Sequence, residues 1–179
     1  VAAYEVSAVP KGEARTSWVL LTTHNVNSLM DAINILTWYT WRWTIEQVFR
    51  VIKNKGLRIE DSQIESPKKL QVMVSLCIGA AVKVMSLVES RNGTSNQKSL
   101  DIFSVDEISV LSLIGEKLKG KSDLQKNPHD KGDLAWASWI IARLGGWKGY
   151  RSESPPGPVT MLNGLQRFEM QLEGWKLCQ

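Results

Sequence analysis

Cysteine and histidine are scarce, two of each in 179 residues. Cys77 lies in an apolar run and Cys178 is the penultimate residue, which excludes a disulfide framework and a thiolate metal spacing. Such sparse thiol usage fits a reducing, cytoplasmic setting. His24 and His129 stand apart from cysteines and carboxylates at ligand spacing, so each reads as a surface or capping residue. No signal peptide opens the sequence, and there is no internal repeat and no low-complexity tract. The best membrane candidate, "VMVSLCIGAAVKVMSLV" from Val72, is short and interrupted by Lys83, and it predicts a buried helix and no membrane partner. The first residue is Val1, inside an alternating stretch that looks like a strand in need of a partner, which is the expectation for a piece of a longer protein.

What is present is a chain 43% hydrophobic, long enough to bury one sizeable core or one core with a small appendage. It carries 22 basic against 18 acidic residues, a formal net charge of +4. That excess is local. Between Arg42 and Arg58 lie Arg42, Arg50, Lys53, Lys55 and Arg58 but only one acid, Glu46, so the window alone accounts for the imbalance. A concentrated basic window points to a polyanionic partner.

Two alternating segments, 4–9 and 17–22, flank the turn-forming "PKGE" at 10–13 and predict a β-hairpin. The pattern then becomes helical. A first helix has N-cap candidates at 25–28 and a stop at Asn54 to Gly56; a second runs from Ser66-Pro67 to Asn92-Gly93. The capping box Ser104 to Glu107 announces a third, ending near Gly120. After a polar loop over 121–131, Asp133 is expected to cap a fourth helix, "LAWASWIIARL", stopped by Gly145-Gly146. A last helix spans about 159–176 behind "WKGYRSESPPGP". The expected fold class is α+β, predominantly α.

The first helix holds the unusual stretch, "WYTWRWTIEQVFRVIKNKG" from Trp38. At about 100° per residue, Tyr39, Arg42, Glu46, Arg50 and Lys53 fall on one strip roughly 80° wide. Trp41, Ile45, Val48 and Ile52, with Trp38 and Phe49 beside them, form an adjoining apolar strip, expected to be buried. One reading is an ordinary solvated face with i, i+4 charge pairs. The sharper one is a carboxylate at the edge of the core, flanked by cations and an aromatic hydroxyl, as a phosphodiester chain and a metal ion would require.

Tyr39-x2-Arg42-x3-Glu46-x6-Lys53 matches in full the Tyr-Arg-Glu-Lys signature of bacterial insertion-sequence transposases of the IS-four type, a branch of the DDE family with a ribonuclease-H-like catalytic core. "RWTIEQVFRVIKNKGLRIEDSQIES" and "DLAWASWIIARLGGWKGY" followed by "PPGP" also resemble this family, and the resemblance runs from about Trp18 to the last helix. It implies that Glu46 is the third acid of the catalytic triad and a ligand of Mg²⁺ or Mn²⁺ in a two-metal site. The other two acids are upstream aspartates in such proteins, absent from this chain. Tyr39, Arg42 and Lys53 would grip the phosphates of the transposon end. Arg50, on the same stripe but outside the signature, is a further candidate phosphate contact.

The resemblance also matches Trp18 to an aromatic that stacks on a base drawn out of the duplex, although a tryptophan at the start of an apolar strand serves equally as core. It implies residues 1–92 as the end of the ribonuclease-H-like domain and 93–179 as a helical C-terminal region that pairs two subunits on DNA. The implied setting is the bacterial cytoplasm, at the nucleoid. Lacking two of the three acids, the chain alone is expected to be inactive. A different class of protein fits the same surface: a non-catalytic helical module that binds DNA or dimerises and thereby inhibits a transposase. Strands bearing two aspartates encoded ahead of Val1 would favour the enzyme. Trp136 and Trp139 read as core, as does Trp175 unless its helix forms a subunit interface. Lys117, Lys119, Lys121 and Lys126 read as a solvated helix end and loop.

Overall fold

Alternation at the start of the chain yields an antiparallel pair, β1 (Ala2–Tyr4) and β2 (Ser17–Val19), with Ala3 opposite Trp18. The computed structural model describes residues 1–5, 14–53, 56–150 and 152–177, Leu124 by its backbone alone. The pair begins before the expected 4–9; the rest of that stretch and the turn at 10–13 lie outside the described residues. Strand β2 stops at Val19, short of the expected 22; next to it the Leu20 amide donates to the Val1 carbonyl and the Val1 amino group donates to the Leu20 carbonyl. Five helices follow, so the fold is α+β and predominantly α: α1 (Leu29–Ile52), α2 (Pro67–Ser90), α3 (Val105–Leu118), α4 (Leu134–Leu144) and α5 (Pro158–Lys176).

Contacts divide the chain into two compact units, Val1–Glu46 and Gln47–Gln179, and α1 crosses the division. In the first, α1 starts where Ser28 and Asp31 satisfy each other. The Asp31 carboxylate accepts from the Asn27 and Ser28 amides and the Ser28 hydroxyl, while the Asp31 amide donates back to Ser28 Oγ. These bonds, led by the Ser28 hydroxyl, hold the Asp31 carboxyl below the usual carboxylate range. A lowered folded-state value means stability that is present above the unfolded pKa and is lost as pH falls through the folded one. Asp31→Ala is therefore expected to speed amide hydrogen exchange at Asn27 and Ser28 near neutral pH, with wild type approaching the variant only in strong acid. An unchanged exchange rate at neutral pH would show that the cap is idle.

The second unit is built round α4. Leu134 through Ala142 and Leu144 are all buried, and the helix packs against α2, α3 and α5. Met161, Leu162, Leu165, Phe168 and Leu172 of α5 cover one side, Ala81, Val84 and Leu87 of α2 another, and Phe103 stands edge-on to Phe168. Trp136 and Trp139 are core, as expected, and Trp175 packs half-buried against it. The buried Ser138 hydroxyl is satisfied by the Leu87 carbonyl at 2.7 Å. Close approach of α4 and α5 depends on glycine. A Cβ on Gly164 would fall 2.0 Å from the Ile141 carbonyl oxygen, and one on Gly145 would fall 2.0 Å from that of Thr160.

Helix α2 is the one described helix long and apolar enough to cross a membrane by length and composition, but only its C-terminal half is buried, through Ala81, Val84, Met85 and Leu87. The expectation of a buried helix is thus corrected for its first half, where Val72 and Leu76 are exposed. Lys83 interrupts the apolar run for a tertiary reason: its ammonium lies 3.8 Å from Glu107 and 3.9 Å from Glu169, and over the Phe103 ring. Asp133 precedes α4 as expected but makes no side-chain cap; its carboxylate is taken by Lys98 at 2.5 Å.

Candidate catalytic and DNA-binding helix

Four of the candidate residues form a continuous array in the first unit. Trp18 on β2 meets Tyr39 on α1 edge-to-face, ring centroids 5.1 Å apart. The Arg42 guanidinium lies 5.5 Å from the Tyr39 ring centre and 5.3 Å from that of Trp43, and its Nη1 donates to Glu46 Oε1. A one-turn spacing places Arg42 and Glu46 on one face, and the flanking rings limit where the guanidinium can swing. Both side chains are about half exposed, so the pair itself contributes little to stability. Its consequence is positional: a carboxylate and a cation held side by side, open to solvent.

The remaining candidates belong to the second unit. Arg50 is exposed and has no carboxylate partner among the described residues. It borders a small cavity with Val51 and the start of α5, Gly157 to Thr160. Lys53 pairs with Glu60 at 2.9 Å, and Arg58 with Asp61 at 2.6 Å. The basic window is therefore partly neutralised by the two acids that follow it. The chain turns back after α1 because the Leu57 amide reaches the Val51 carbonyl and Arg58 adopts a left-handed conformation, φ 52°. Gly56 permits this, since a Cβ there would sit 1.9 Å from the Val51 carbonyl oxygen. Asn54, half of the expected stop signal, and Lys55 lie outside the described residues.

The apolar strip of α1 departs from expectation: Ile52 is buried and Val48 half-buried, but Trp38, Trp41, Ile45 and Phe49 are exposed, Trp41 by 59% and Ile45 by 57%. Periodicity correctly groups these side chains on one strip, yet it cannot say whether anything within the chain covers it. His24, expected to be a surface or capping residue, is exposed and makes an edge contact with Trp38.

A divalent ion needs several oxygen ligands. Among the described residues no three His, Cys, Asp or Glu side chains cluster as ligands would, and Glu46 has only Arg42 beside it. One half-exposed carboxylate does not fit a two-metal centre by itself. Sequence reading missed the Tyr39–Trp18 contact, which pairs residues distant in sequence, and the Lys53–Glu60 pair, which an acidic doublet directly after a basic run could have signalled. Residues 4–83 match the family model described as the transposase DDE domain, so this part of the chain is similar to that family and the match supports a transposase-related function.

Proposed function

We propose, taking the family match over the first part of the chain as the premise, that this chain is the C-terminal portion of an insertion-sequence transposase of the Tyr-Arg-Glu-Lys type. It binds transposon-end DNA and contributes one catalytic carboxylate, Glu46, to metal-dependent strand cleavage and transfer. The observation that carries this reading is the array Trp18, Tyr39, Arg42 and Glu46, in which a solvent-facing carboxylate pairs with a cation that lies over the Tyr39 ring, itself edge-on to Trp18. A bound Mg²⁺ or Mn²⁺ would activate the attacking oxygen, and Glu46 would be one of its ligands, the remainder coming from aspartates outside this chain. Arg42 holds the carboxylate in place and offers its remaining N–H groups to a neighbouring phosphate. Trp18 and Tyr39 present ring surface to an unstacked base.

Residues 1–92 are assigned to the catalytic domain and 93–179 to a helical region that pairs subunits. The exposed Trp38, Trp41, Ile45 and Phe49 support an incomplete catalytic core, because apolar surface of this kind is ordinarily covered. The setting would be the bacterial cytoplasm.

DNA binding by this chain tests the reading. Each neutralised phosphate contributes a slope of about −0.9 to the dependence of log K on log salt concentration. Arg50→Ala and Lys53→Ala should each weaken duplex binding and reduce the slope by about 1. Lys53 must leave Glu60 to reach a phosphate, so Glu60→Gln should tighten binding. Slopes unaffected by either basic substitution would exclude this face as the DNA contact.

A further inference from the structure

A cavity of about 370 Å³ opens in the second unit, where the end of α2 meets α4 and the segment after it. Its aromatic surface runs from interior to rim: Trp139 is buried, Trp147 half-buried and Tyr150 exposed. Arg91, directly after α2, donates from Nη1 to the Pro156 carbonyl at 2.8 Å, but its buried Nε–H has no acceptor among the described residues. The buried indole N–H of Trp147 has none either. Buried donors are nearly always paired, so two unpaired ones on residues that line one cavity point to acceptors supplied from outside, reached by a small shift of these side chains.

Charged groups of both signs line the cavity. Glu153 lines the cavity, yet its Oε2 accepts the amides of Lys148 and Gly149 at 2.8 and 3.1 Å and so shapes the loop. Arg91 has no carboxylate partner among the described residues. The His129 ring completes the wall, packed so closely on Gly93 (φ 72°) that a Cβ there would come within 2.9 Å of it. A cation outside any ion pair among the described residues, unpaired N–H donors and large rings suit a planar, acceptor-bearing ligand whose phosphate lies at Arg91, away from Glu153.

We infer that this cavity binds an unpaired nucleotide, its base against the aromatic rings and its phosphate at Arg91. Aromatic stacking combined with an arginine is how single-stranded nucleic acid is held without regard to sequence, and a base still paired in a duplex cannot enter. The inference rests on the DNA-acting reading above and extends it to a second site, on the helical region.

The indole N–H signal of Trp147, assigned by its loss in Trp147→Phe, reports occupancy by NMR. The chain is titrated with deoxyadenosine monophosphate, with oligothymidylate and with blunt duplex DNA. Oligothymidylate and the monophosphate should move the signal and the duplex should not. Arg91→Gln should weaken binding about tenfold. Tyr150→Ala, at an exposed position that folding does not depend on, should weaken it measurably. Monophosphate binding without oligothymidylate binding would overturn the DNA-strand assignment and leave a free-nucleotide site. If neither nucleotide probe moves the signal while salt-dependent duplex binding persists, the cavity assignment is wrong and the DNA reading stands. If duplex binding is absent and both nucleotide probes still enter, the cavity assignment stands and the DNA face on α1 is what fails.

Discussion

Glu46→Gln is expected to abolish strand cleavage in a protein that carries the complete set of catalytic acids, while DNA binding survives. The neutral amide keeps the shape of the side chain but is a much poorer ligand for a hard divalent cation. A fall in rate of about 10³-fold or more corresponds to about 4 kcal/mol of lost transition-state stabilisation. Binding should hold or tighten, because Glu46 is the partner of Arg42, and neutralising it frees that guanidinium for phosphate. The present chain, incubated with Mg²⁺ or Mn²⁺ and a labelled transposon end, should leave the DNA intact whether position 46 is Glu or Gln. Cleavage at the wild-type rate by the substituted complete enzyme would remove Glu46 from the catalytic set. Binding lost in parallel with cleavage would recast it as a structural residue.

The second large effect concerns α5, where one substitution should act with opposite signs at two positions. Gly164→Ala places a methyl group 2.0 Å from the Ile141 carbonyl oxygen and 2.8 Å from Ile141 Cγ2, so α4 and α5 must separate. Overpacking of this kind costs about 1–3 kcal/mol, and a clash with backbone belongs at the upper end. Separation would also open the contacts of Leu165 and Phe168 with the core. Gly174, ten residues on in the same helix, has nothing within 4 Å of a would-be Cβ. Gly174→Ala should therefore stabilise by about 0.5–1 kcal/mol through helix propensity alone. Urea unfolding monitored by circular dichroism measures both. Equal effects of the same sign would mean that Gly164 is not a point of close approach between α4 and α5.

Helix boundaries were the most legible part of the fold. Ser66-Pro67, the Ser104–Glu107 box and Gly145-Gly146 act within a few residues of themselves, so α2, α3 and α4 begin or end where local chemistry says they should. Asp133 shows the limit of that reasoning. It stands at a cap position, but Lys98, 35 residues away, offers a full charge where the helix end offers a partial one. Lys53 and Glu60 repeat the lesson at the candidate site, since a turn at Gly56 brings a following acid back onto the basic stripe.

By itself, then, the sequence determined the helices, where most of them begin and end, and the common stripe of Tyr39, Arg42, Glu46, Arg50 and Lys53, because each follows from short-range geometry and an approximately 100° repeat. Only the tertiary structure decided that Trp18 meets Tyr39, that Lys53 is taken by Glu60, and that Trp41 and Ile45 are open to solvent. Burial and pairing depend on what other segments bring to a helix face. Periodicity along the chain records which side chains share a face and carries no information about what covers it.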